Sequence, residues 1–101
     1  MKVKTLDINQ IKDIINKHLD FLSENYNVAV IGVFGSMARG DNTESSDIDI
    51  LVELSEPIGF FKFIELEEFL SKILGRRVDL VTKKALKDAI KDEILQETIY
   101  V

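Results

Sequence analysis

The sequence predicts one α/β (α+β) domain: a small mixed sheet of at least three strands packed by helices, in the order α-β-(short α)-β-α-β-α. Three observations carry this. Val28–Phe34, "VAVIGVF", is an unbroken β-rich run, as expected of a strand covered on both faces. Asp47–Leu54, "DIDILVEL", alternates with a period of two. Phe60–Leu74 repeats apolar residues at helical spacing and is followed by a third β-rich run, "RVDLVT".

Taken in order, the first element is a helix that Asp7 or Asn9 caps and that runs to about Tyr26. Ile8, Ile11, Ile14, Ile15, Leu19 and Leu22 recur at helical spacing along it, leaving Lys12, Lys17, Asp20 and Glu24 for solvent. His18, the single histidine, falls in this helix as an ordinary boundary residue. Strand one is Val28–Phe34 and strand two Asp47–Leu54. On strand two, Asp47, Asp49 and Leu51 share one face and Ile48, Ile50 and Val52 the other. Pro57 and Gly59 break the chain before the Phe60–Leu74 helix, whose buried face is Phe63, Leu66, Phe69, Leu70 and Ile73, with Gly75 ending it. Strand three is Arg77–Thr82. Lys84–Glu97 is helical, with a break expected near Lys91, and the final "TIYV" has no assignment. The β-α-β unit from Asp47 to Thr82 has the length of a right-handed crossover, so strands two and three are expected to be parallel. The short link between strands one and two favours an antiparallel pair.

Composition narrows the function classes. The 101 residues suit one domain, 1–101, without repeats or linkers. With no cysteine there is neither a disulfide framework nor a thiolate metal site. Met1–Gln10 lacks the apolar core of a signal peptide, and no apolar run approaches the ~20 residues that span a bilayer. A cytoplasmic protein with no membrane partner is expected. The net charge of −5 argues against tight nucleic-acid binding by this chain alone, since such binding relies on basic patches that displace counterions.

The expected topology brings the end of strand one (Gly35, Ser36), the head of strand two (Asp47, Asp49) and the head of strand three (Asp79) to one sheet edge. Aspartate is a poor strand former, and two unit charges about 4 Å apart repel by about 4 kcal/mol at an effective dielectric near 20. Three carboxylates there are unfavourable unless a cation sits among them or one takes up a proton. All-oxygen ligands favour a hard ion, Mg²⁺ or Mn²⁺, which completes its shell with water and phosphate. Gly35 and Ser36 fit that phosphate: glycine permits close backbone approach, and the N–H groups opening the next short helix attract an anion. Arg39, one turn on, brings a guanidinium fork to it. No Walker loop occurs, and Asp47-Ile-Asp49-Ile lacks the glycine and third oxygen ligand of an EF-hand.

"GVFGSMARGDNTESSDIDILVE" followed by "RRVDLVT" resembles the minimal nucleotidyltransferases of the DNA polymerase β superfamily, over about Val28 to Glu97. Their pattern is Gly-Ser, about ten residues, Asp-apolar-Asp on a strand, and an acid on a later strand. The resemblance implies the minimal nucleotidyltransferase fold, with Asp47 and Asp49 as metal ligands. It makes Asp79 the third carboxylate, a metal ligand or the base for an acceptor hydroxyl. Gly35 and Ser36 would hold the triphosphate of ATP, and Arg39 matches the "GSxARG" form of small prokaryotic members. Two-metal chemistry is implied, one ion activating the attacking hydroxyl and the other neutralising the leaving pyrophosphate.

Larger relatives carry an added acceptor domain, for which this chain has no residues to spare, so a partner or second subunit is expected to present the acceptor. Small stand-alone members resemble antitoxins of toxin–antitoxin pairs whose partners are HEPN-domain ribonucleases. The resemblance therefore implies AMP transfer from ATP to a tyrosine of a HEPN toxin, within a hetero-oligomer. Two alternatives stand beside it: nucleotidyl transfer to a small molecule or RNA, and a non-catalytic antitoxin that neutralises by binding.

Overall fold

The structure, a computed structural model, describes residues 6–101; the first five residues of the expected 1–101 domain lie outside the described residues. The element order is α1 (Ile8–Asn16), α2 (Leu19–Tyr26), β1 (Val28–Phe34), α3 (Ser36–Arg39), β2 (Ile48–Leu54), α4 (Phe60–Leu74), β3 (Val78–Thr82), a 3₁₀ turn (Lys83–Ala85), α5 (Asp88–Glu97) and β4 (Ile99–Tyr100). The four strands form one mixed sheet in the order β3-β2-β1-β4. As expected, β1 and β2 are antiparallel and β2 and β3 parallel. No helix among the described residues is long and apolar enough to cross a membrane.

The expected single first helix is two. Asp7 caps α1 in a capping box with Gln10, each side chain accepting the other's backbone N–H. The break falls at Lys17–His18. There the His18 N–H turns to the Ile15 carbonyl at 2.9 Å, and the ring Nδ1 donates to the Ile14 carbonyl that a continuous helix would have used. The imidazole then packs edge-on against Phe69, ring centroids 5.6 Å apart. His18 is thus a structural boundary residue.

α1, α2 and α4 cover one face of the sheet. Ile11, Ile15, Leu22, Val33, Ile48, Ile50, Leu66 and Leu70 are wholly excluded from solvent there. The face expected for α4 holds with one shift: Leu66, Leu70 and Leu74 are fully buried, whereas Phe63, Phe69 and Ile73 pack partly exposed against the core. Gly75 ends α4 in the left-handed region at φ 65°. β3 is an edge strand, but α4 occupies its free side. The Val78 N–H donates to Ser71 Oγ and the Leu80 N–H to Glu67 Oε2, so the edge offers no ready ladder to another chain.

The C-terminal third differs from expectation. The break lies at Leu86–Lys87, not near Lys91: both residues are extended, closing the 3₁₀ turn before α5 begins at Asp88. The unassigned "TIYV" supplies β4, which pairs antiparallel with β1 through Gly32↔Tyr100 and Val33↔Ile99. Gly32 makes room for it. A Cβ at that position would lie 3.1 Å from Tyr100 Cδ1 and closer still to Thr98 Cγ2.

Candidate functional site

Register brings the acids together. Asp49 lies opposite Phe34 at the end of β1 and opposite Asp79 on β3, so Asp49 and Asp79 share the sheet face turned away from Ile48 and Ile50. Asp47 sits one residue before β2, half exposed, with Arg77 Nε at 3.9 Å from its carboxylate. Gly35 follows β1 directly, at φ 72°. Two constraints hold it as glycine: that backbone conformation, and the Asp49 carboxylate, whose Oδ2 would collide with an added Cβ.

The Asp49 carboxyl is pushed above the usual carboxylate range. Burial contributes most, then the charges of Asp79 and Asp47; Arg39 pulls it back and Glu97 pushes it up again. This is the electrostatic mark of a place that a cation would relieve. The donor set is all oxygen, which suits a hard ion. Convergence, however, is met by the strands more than by the side chains. Among the described residues, no three carboxylate or imidazole groups gather closely enough to enclose an ion by themselves. The acids therefore fit an ion that takes one or two carboxylates and completes its shell from water and phosphate, as Mg²⁺ does.

The phosphate side is smaller than the sequence suggests. α3 has four residues, Ser36–Arg39, so its dipole is slight and the anion-binding groups are individual donors: the Gly35 N–H, Ser36 and the Arg39 guanidinium. Arg39 is half exposed and already engaged, with Nε 3.2 Å from Asp41 and Nη1 3.3 Å from Glu97. The hydrogen bond to Asp41 is the main cause raising its pKa further. The Gly35 N–H donates to Glu97 Oε1 at 2.9 Å.

Glu97 is the site residue that sequence reasoning missed. Spacing places it at the end of a C-terminal helix, far along the chain from Gly35. One signal was available: an acid in the last turn of a helix faces the negative end of the macrodipole, an unfavourable position that implies a partner elsewhere.

Strand-borne carboxylates beside a glycine–serine turn, at one edge of a small mixed sheet, define a transferase of phosphate-bearing groups. The chain belongs to the nucleotidyltransferase domain family, whose profile matches residues 15–101, and it is an enzyme of that class. It is 48% identical over 96 residues to protein adenylyltransferase MntA of Thermococcus cleftensis, covering 95% of this chain and 97% of that one. Its fold is similar to a solved structure provisionally described as a minimal nucleotidyltransferase, with TM-score 0.79 and 31% identity, over 96% of this chain and 98% of that one. It is also similar to a toxin–antitoxin crystal structure with AMP-PNP, with TM-score 0.71 and 27% identity, over 84% of this chain and 69% of that one.

Proposed function

We propose that this chain is an Mg²⁺-dependent antitoxin that transfers AMP from ATP to a tyrosine hydroxyl of a HEPN-domain toxin. The observation that carries the reading is the pairing of Asp49 with Asp79 on neighbouring parallel strands, directly beside Gly35. The adenylyltransferase relative and the toxin–antitoxin likeness support the donor and the kind of partner.

In this reading Asp47 and Asp49 hold the divalent ion, with Asp79 as a third carboxylate. When bound, the ion neutralises phosphate charge and lowers the pKa of the attacking hydroxyl. Gly35, Ser36 and Arg39 hold the triphosphate so that its α-phosphorus lies over the acid edge. The tyrosine oxygen forms a bond to that phosphorus, the bond to the bridging oxygen breaks, and pyrophosphate leaves. Asp79, exposed at the outer strand, takes the hydroxyl proton. Asp47 and Arg39 are also open to solvent, so a protein surface can reach the edge from outside.

The test is intact-mass spectrometry of the toxin partner after incubation with ATP and Mg²⁺. Adducts of one or more AMP units on a tyrosine are expected with the native chain and none with Asp47→Asn. Asp79→Asn should stop the adduct while AMP-PNP still binds. An unmodified toxin that Asp47→Asn still silences would leave neutralisation by binding alone.

A further inference from the structure

The carboxylate of Glu97 lies where the nucleotide reading needs a phosphate. Oε1 accepts the Gly35 N–H at 2.9 Å and Oε2 meets Arg39 Nη1 at 3.3 Å, so both oxygens are engaged by groups that reading assigns to the triphosphate. A carboxylate and a phosphate each offer donors a pair of anionic acceptor oxygens. They cannot both fill this one pair of donors.

The chain places Glu97 there at some cost. It stands at the negative end of α5 and adds to the acidic field around Asp49. Its position is fixed from the C-terminal side. Thr98 Oγ1 donates back to the Ile94 carbonyl at 2.7 Å, and β4 docks on β1 where Gly32 leaves space. No residue of α5 is fully buried, so this segment shifts more cheaply than the body of the domain.

We propose that Glu97 is an internal competitor for the nucleotide's phosphates: it fills the Gly35–Arg39 donor pair in the free protein and yields it when a triphosphate binds. The proposal rests on the nucleotide reading above. Its consequence is a common loss of affinity for every anion that uses the pair, which an anion held there by few other contacts tolerates least. A triphosphate gains further contacts at the acid edge through its accompanying ion, whereas an anion that offers only one phosphate must displace Glu97 for two donors alone. Apparent affinity then falls by the fraction of molecules in which the donors are free.

The test is calorimetric titration of Mg²⁺ and AMP-PNP into the native chain, Glu97→Gln and Glu97→Ala, with the ¹⁵N resonance of Gly35 followed in parallel. If Glu97 occupies the donors in about nine of ten molecules, Glu97→Ala binds roughly tenfold more tightly, with a smaller gain for Glu97→Gln. The Gly35 amide should shift in both free variants. Should Glu97→Ala lose the β4 pairing, Glu97→Gln, which keeps side-chain length and an acceptor oxygen, carries the comparison. Equal affinity in all three proteins overturns the competitor and leaves the nucleotide reading standing. Weaker binding in the variants overturns it too, making Glu97 a support for the nucleotide. Binding by none of the three removes both readings.

Discussion

Every fully buried apolar side chain among the described residues lies between Ile11 and Leu80, and none comes from the chain after Leu80. The body of three strands and three long helices is thus closed around its own core. The segment from the 3₁₀ turn through β4 rests on its surface, with Ile90 45% exposed and Tyr100 44%. The two regions share the candidate site unequally. The body carries Asp49 and Asp79 on core-backed strands, Gly35, Ser36 and Arg39 in the turn and short helix after β1, and Asp47 just before β2. The segment contributes Glu97 alone. Asp49 and Asp79 sit on strands backed by the core, and the group proposed to move sits on the part that opens most cheaply.

The sharpest way to break this contrast is to empty the core. Ile50→Ala, at a site with no solvent exposure, should cost about 2–5 kcal/mol and lower the urea midpoint without changing which elements form. Comparable loss from an α5 truncation such as Ile90→Ala would erase the distinction between the regions.

A second prediction separates charge from packing within the body. Asp49→Asn should lower AMP transfer by at least about a hundredfold, the scale of losing a preorganised electrostatic contact. The same variant should melt higher than the metal-free native chain. Burial, Asp79 and Asp47 all disfavour the charged form of the native Asp49 carboxyl, and the amide has no charged form to disfavour. Roughly 1 kcal/mol moves Tm by about 4–8 °C in a domain of this size, so a rise of a few degrees is readable by calorimetry. A large drop would make Asp49 a structural residue.

Gly32→Val addresses the seam between the regions. The new side chain meets Thr98 and Tyr100, and the overpacking should cost about 1–3 kcal/mol. Amide exchange should show protection lost at Ile99–Val101 while β2 and β3 keep theirs. Uniform loss over the sheet would mean that β4 is integral to the body.

The smaller effects lie at the two ends. Asp7→Ala removes the cap and capping box of α1 and should cost about 1 kcal/mol by denaturant titration. Ile90→Ser, on the exposed side of α5, should stay within about 0.5 kcal/mol of the native chain by the same measurement.

The sequence by itself determined the parts whose signal is local. β1 and α4 begin and end where the apolar patterns do, β2 and β3 begin one residue late, and Asp7 caps the helix it precedes. The meeting of Asp49 and Asp79 at one sheet edge followed from the parallel pairing that a β-α-β crossover imposes. Only the tertiary structure decided the rest. The helix break at His18 depends on an imidazole that bonds the Ile14 carbonyl and packs against Phe69 at once. β4 has two residues, too few for any pattern, and exists because β1 offers an open edge and a glycine. Glu97 meets Gly35 across a separation of 62 residues. Nothing in its neighbours along the chain encodes that contact; it arises because the closing strand returns the end of α5 to the turn that follows the first.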